Sequence, residues 1–126
     1  MRVLLLKTFR RYQRREGITD AALAAAIRQA ERGLIDAQLG GGLIKQRVAR
    51  QSAGKRDGLC TIIAYRDGSR AVFLLGFAKS ERDNIDDDQL AALKKIAAAV
   101  LGNDEEAIAT AVKGGTIWEI DYDGEA

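Results

Sequence analysis

Apolar residues along this chain switch between two periods, and the switches outline its elements. RVLLL at residues 2–6 reads as a short strand, followed by KTFRRYQRRE (7–16), a strongly basic helical segment of a turn or two that Gly17 ends. Leu23, Ile27, Ala30 and Leu34 then fall at 3.6-residue spacing. That spacing predicts a helix over residues 21–37, capped by Thr19 or Asp20. Gly40, Gly41 and Gly42 break it and favour a turn into a strand.

From residue 43 the period becomes two. Leu43, Lys45, Arg47 and Ala49 point one way, and Ile44, Gln46 and Val48 the other. Residues 59–65 and 71–77 are richer in apolar, β-branched and aromatic side chains, and Arg66-Asp67-Gly68-Ser69 between them reads as a hairpin turn. Helical periodicity resumes over 86–101 through Leu90, Leu93, Ala97, Val100 and Leu101, with Asp86, Asp87 and Asp88 near the N-terminus, where the helix dipole favours them. A short helix over 104–112 ends at Gly114 and Gly115, and TIWEID (116–121) reads as a terminal strand or a docking segment, with Trp118 in the core or in a docking contact. The order β-α-α-β-β-β-α-α predicts an α+β fold: an antiparallel sheet of about four strands with helices packed on one face. Residues 1–85 form its core and residues 86–126 a C-terminal helical extension of the same domain with an acidic end. Phe73, Leu75 and Phe77 read as sheet core, and Phe77 and Tyr65, near strand ends, are also placed to stack on a base.

Composition changes this picture little; charge changes it more. The 126 residues are 47% hydrophobic and 30% charged, as expected for one soluble globular domain. No apolar run is long enough to span a bilayer, and MRVLLLKTFRR has too short an apolar stretch for a signal peptide, so a cytoplasmic protein is expected, without a membrane partner. Cys60, the single cysteine, has no internal disulfide partner and suits a reducing compartment. The net charge of +2 hides an asymmetry: residues 1–79 hold 16 Lys/Arg and 6 Asp/Glu, whereas residues 80–126 hold 4 and 12. LIKQRVARQSAGKR alone carries Lys45, Arg47, Arg50, Lys55 and Arg56 with no carboxylate, and Lys79 and Arg82 follow. Cations at this density repel one another, and a polyanionic ligand relieves the repulsion. The acids at 104–106 and 119–125 suggest a tail that folds over the basic face in imitation of RNA.

KTFRRYQRREGITDAALAAAIRQAERGLIDAQLGGGLIKQRVARQSAGKRDG, followed by a hairpin and GFAKSERDNI, resembles the RelE/HigB-type toxins of bacterial type II toxin–antitoxin modules over about residues 4–85. The resemblance implies a RelE-like α+β domain and a messenger RNA endonuclease acting on the ribosome. It further implies an adjacent antitoxin, often a helix-turn-helix protein, and no cofactor or metal. RNA cleavage of this kind has a ribose 2′-OH attack the neighbouring phosphate, giving a 2′,3′-cyclic phosphate and a 5′-OH end. It needs a proton acceptor, positive charge at the phosphorane and a donor to the leaving oxygen. The chain has no histidine. A lysine acts as base only when its pKa falls, which crowding by other cations promotes. Carried over from the family, Lys45 is the expected base, Arg47 the phosphorane stabiliser, and Lys79 and Arg82 the phosphate ligands or leaving-group donors. Arg50, Lys55 and Arg56 are expected to grip flanking RNA, and the N-terminal cations are either a ribosomal RNA contact or a solvated helix face.

Two departures from the family pattern stand out. Cys60 occupies the position where many relatives carry an arginine, and the Tyr or His that some use near the last motif is replaced by Asp83, Asn84, Ile85 and Asp86. Without a histidine to activate it, Cys60 is expected as a buried or half-buried strand residue rather than a nucleophile. The alternatives to an endonuclease are a non-catalytic RNA- or ribosome-binding member of the fold, or a basic protein-interaction module.

Overall fold

Two strands of this protein are apolar on both faces, and that decides its layering. The computed structural model describes residues 1–49, 58–78 and 85–122. In chain order the elements are β1 (Arg2–Leu6), α1 (Lys7–Glu16), α2 (Asp20–Glu31), β2 (Ala37–Gly40) and β3 (Leu43–Val48). They continue with β4 (Leu59–Arg66), β5 (Arg70–Ala78), α3 (Asp87–Gly102), α4 (Glu105–Gly114) and β6 (Ile117–Ile120). They form one six-stranded sheet in the order β2-β3-β4-β5-β1-β6. Neighbours are antiparallel except β1 and β5, which run parallel.

The expected sheet of about four antiparallel strands with helices on one face is therefore corrected to a mixed sheet of six with helices on both. In β4, Leu59 and Ile63 face one apolar layer while Cys60, Ile62 and Ala64 face another. In β5, Ala71 and Phe73 face the first and Val72 and Leu74 the second. Strands buried on both sides read as near-continuous apolar runs and need cover on each face. Phe9 of α1 and Leu23, Ala26, Ile27 and Ala30 of α2 cover the first face; Leu93, Ala97, Val100 and Leu101 of α3 and Ile108 of α4 cover the second. Residues 86–122 thus supply a whole covering layer and the edge strand β6. Among the described residues no helix is long and apolar enough to cross a membrane.

The predicted helix over 21–37 is shorter than its apolar spacing suggested. It ends at Glu31, with Gly33 at φ +82°, and Leu34, the last residue of the apolar series, is 58% exposed. Beyond it the chain is held by a side chain instead of a helical ladder. The buried Gln46 of β3 donates to the carbonyls of Ala26 and Leu34 and accepts from the Asp36 N–H at 3.1 Å, leaving residues 37–40 to pair as β2. Thr19 does cap α2, its side chain accepting from the Ala22 N–H. Gly40, which ends β2, and Gly41 and Gly42 after it all have φ between +62° and +82°, and a Cβ at Gly41 would lie 2.8 Å from Lys94 Cγ. The turn therefore requires glycine both for its backbone and for the α3 side chain laid across it. A bulge at Leu74 shifts the β4–β5 register, so Phe73 and Phe77, two positions of one even alternation in the sequence, lie on opposite faces.

An ion-pair clasp fastens the C-terminal layer to the sheet. Arg70, 4% exposed at the start of β5, donates to the Val100 and Asn103 carbonyls at 2.8 and 2.7 Å and to Glu105 at 2.9 Å. Arg2 of β1 pairs with both oxygens of Glu119 at 2.9 and 2.8 Å and also with Glu105. Arg70 thereby satisfies carbonyls left open at the end of α3. Hydrogen bonds from Arg70 and Arg2 hold the Glu105 carboxyl below the usual glutamate range, and Arg2 does the same for Glu119. Both carboxylates therefore favour folding above about pH 4.5, the ordinary value, and that contribution is lost as pH falls through their lower folded-state values. Urea titrations at successive pH values are expected to show an acid limb that flattens in a Glu105→Gln, Glu119→Gln variant. Arg70→Ala is expected to lower the unfolding free energy by about 2–4 kcal/mol, because it strips partners from a charged hydrogen-bond network.

Candidate functional site

Strand β3 sets the geometry of the cations. Ile44 and Val48 enter the layer beneath α1 and α2, whereas Leu43 enters the layer beneath α3. With a side-chain period of two, Lys45 and Arg47 take the Leu43 side, about 7 Å apart along the strand. Their register partners on β4, Ile62 and Cys60, belong to that same α3-side layer. Lys45 is half-buried and Arg47 exposed, so the apolar cover gives way along this stretch of β3.

Three local contacts hold the strand in place. The Arg47 N–H donates to Asp36 Oδ2 at 2.7 Å, Gln46 anchors the opposite side of the strand as described, and the Thr61 hydroxyl donates to the Gln46 carbonyl at 2.8 Å. Gly58 supplies the fourth constraint. A Cβ there would fall 2.7 Å from both Cγ and Cδ of Arg47, so the arginine stem crosses the strand entry where a side chain would otherwise stand. Sequence reasoning passed over Gly58, Gln46 and Asp36; an alternating strand with a buried glutamine was the visible signal for the second.

The remaining expected cations, Arg50, Lys55, Arg56, Lys79 and Arg82, lie outside the described residues. The described parts of β3, β4 and β5 do end together, since Val48 pairs with Leu59 and Leu59 with Ala78. Cys60 is buried, as its strand position suggested.

Phe77 requires correction as a base-stacking residue. It is 3% exposed and belongs to the apolar layer with Cys60, Ile62 and Ile85, so its ring is taken up by the core. Tyr65 sits at the far end of β4, where its hydroxyl donates to Asp67 at 3.0 Å. Burial first, then that carboxylate, pushes its pKa up. The shielding tail is also corrected over its described part. Glu105 and Glu119 are held by Arg2 and Arg70, and Asp104 caps α4 through the Ala107 N–H at 2.8 Å. These acids lie at the Arg70 end of β5, about 20 Å along the strand from Phe77 and the cation face. A cleft of about 470 Å³ lined by Asp20, Ala24, Arg28 and Tyr122 adjoins α2 and holds neither Lys45 nor Arg47.

Residues 1–120 match a family model described as the RelE toxin of the RelE/RelB toxin–antitoxin system. No curated protein matches the chain.

The geometry at Gly58 has a direct test. Gly58→Ala is expected to displace the Arg47 side chain while changing the unfolding free energy by less than about 1 kcal/mol, because the displaced group is exposed. Side-chain Nε–H resonances of arginine report the displacement. An unmoved Arg47 signal in a folded variant would show that the glycine does not direct it.

Proposed function

The chain belongs to the RelE toxin family, the toxin half of a toxin–antitoxin system, and on that premise we propose a ribosome-dependent messenger RNA endonuclease. One observation carries the reading: Lys45 and Arg47 share a face of β3 where the apolar cover ends, with the arginine stem fixed across Gly58. In this reading Lys45 takes the proton of a ribose 2′-OH. The oxygen forms its bond to phosphorus while Arg47 neutralises the phosphorane, and the P–O5′ bond breaks. Lys79, one residue beyond the end of β5, delivers a proton to the departing 5′ oxygen. Arginine parts with its proton too reluctantly for that step, so Arg82 binds phosphate. Arg50, Lys55 and Arg56 grip RNA on either side. The products are a 2′,3′-cyclic phosphate and a 5′-OH end. Family membership implies an antitoxin partner; the proposal adds that it is a helix-turn-helix protein and that the toxin works in the cytoplasm on the ribosome.

Inducible expression is expected to arrest growth with newly cut transcripts. Lys45→Ala and Arg47→Ala are each expected to reduce cleavage by about 10²-fold or more, the size of effect seen for general-base or charge-stabilising groups. Abundant folded wild-type protein in healthy cells without new transcript ends would remove the endonuclease reading.

One structural feature supports a second reading, a non-catalytic RNA-binding member of the fold. Cys60 is the register partner of Arg47 and is buried, so the neighbouring strand contributes a thiol where a second cation would stand beside the first. In that case wild-type protein binds ribosomes without cutting, and Cys60→Arg gains cleavage. A folded Cys60→Arg protein that is as inert as the wild type would dispose of the link between the thiol and inactivity.

A further inference from the structure

Helix α1 ends by the ordinary rules, with Arg14 and Arg15 in its last turn and Gly17 as its stop, but its start and its exposed face run against them. Its N-cap, Leu6, makes no side-chain capping bond, and its first turn has no acid and begins with Lys7. A cation there opposes the helix dipole. Lys7 and Arg11, Arg10 and Arg14, and Arg11 and Arg15 are like-charged pairs four residues apart, each of which destabilises a helix. Only part of this charge is compensated within the fold. Arg10 bonds Gln13 at 2.8 Å and Asp20 at 3.3 Å, and Arg15 reaches Glu16 at 3.5 Å. Among the described residues Lys7, Arg11 and Arg14 are exposed with no carboxylate within ion-pair distance. Phe9 and Gln13 turn inward, so the outward stripe is cationic along its length.

An exposed aromatic borders this stripe. Of the two places expected for Trp118 of β6, the core and a docking contact, its 47% exposure removes the first, and the Arg10 guanidinium lies 4.4 Å from its ring centroid. Protein interfaces are centred on apolar or aromatic anchors buried at their middle. This surface has cations at its middle and one indole at its margin. That arrangement suits single-stranded nucleic acid, whose phosphates follow the charges and whose bases stack on aromatic side chains.

We infer that α1 and Trp118 form a second single-stranded RNA-binding surface, on the opposite face of the sheet from Lys45 and Arg47. Phe9 of α1 lies in the apolar layer that Ile44 and Val48 enter, which puts the sheet between the two cationic surfaces. The inference rests on the proposed function only in taking RNA as the ligand. It goes beyond that reading by giving the chain two separable RNA contacts, one for reaction and one for holding.

The test uses the full chain carrying Lys45→Ala and Arg47→Ala, so that RNA stays intact and the first surface is weakened. Binding of a fluorescent 20-nucleotide single-stranded RNA is measured from 50 to 300 mM salt. Adding Arg11→Gln and Arg14→Gln is expected to weaken binding at least tenfold at 50 mM salt. It is also expected to reduce the slope of log affinity against log salt by about 1.4, at about 0.7 per phosphate contact. Arg11→Lys with Arg14→Lys is expected to keep the slope, and Trp118→Ala to weaken binding about fivefold or more. Urea denaturation of each variant identifies those that are folded. Unchanged affinity and slope in folded α1 variants would overturn the inference and leave the endonuclease proposal standing. Competition by poly-glutamate as effective as RNA of equal charge would overturn it in favour of an acidic protein partner. Loss of all RNA binding from Lys45→Ala and Arg47→Ala alone would overturn it too, by showing one surface. RNA held by α1 in a protein whose wild type never cuts transcripts would sustain it while removing the catalytic reading.

Discussion

Burial of β4 and β5 on both faces is the constraint from which the rest of this architecture follows. A sheet with apolar side chains above and below is stable only when both sides are covered, and helices come in pairs here to cover them. Among the described residues, charged groups then lie on helix exteriors, at strand ends, in connections, on the edge strand β6 and along the stretch of β3 where cover stops. Lys45 and Arg47 occupy the last of these places, and the cations of α1 the first. The distribution of charge is a consequence of the layering as much as of ligand chemistry.

The two ends of the sheet have been given opposite tasks. At the Arg70 end, acids and arginines neutralise one another and tie β1, β5, α3, α4 and β6 together. At the other end β3, β4 and β5 finish in line, with Arg47 laid across Gly58. The acidic half of the chain looks in the sequence like a shield for the basic half. Folding instead consumes Glu105 and Glu119 in holding the covering layer in place, far from Arg47.

Much of the fold was legible because local chemistry and tertiary structure agree. The bounds of β1 and α1, the Gly17 stop, the Thr19 cap and the hairpin at Gly68 each follow from short-range rules that the fold respects. What escaped depended on partners distant in sequence. Leu34 continues an apolar helical series, yet Gln46, twelve residues on, takes its carbonyl for a different purpose. Phe73 and Phe77 share a sequence parity that one bulge undoes. The second helix layer escaped because a continuous apolar run and an alternating one both read as strand, and only the former demands cover on both faces; β2 escaped because the apolar series carried the predicted helix through to residue 37. At the candidate site, the shared face of Lys45 and Arg47 was readable from period two. The role of Gly58 was not, since the absence of a side chain carries no signal until the neighbour that fills the space is known.

The place of β1 has a consequence for the order of events in synthesis. It precedes β2 to β5 in the chain, yet its neighbours are β5 and β6, which begin at Arg70 and Ile117. Among the described residues nothing between Leu6 and Arg70 pairs with it, so its parallel partner is made only some sixty residues later and its other edge waits for β6. Such long-range pairing is slow compared with the hairpins of β3, β4 and β5, which connect neighbours in sequence. Arg2 has no Glu119 to pair with until β6 is made, so this half of the clasp on the covering layer closes only after residues 70–116 are in place.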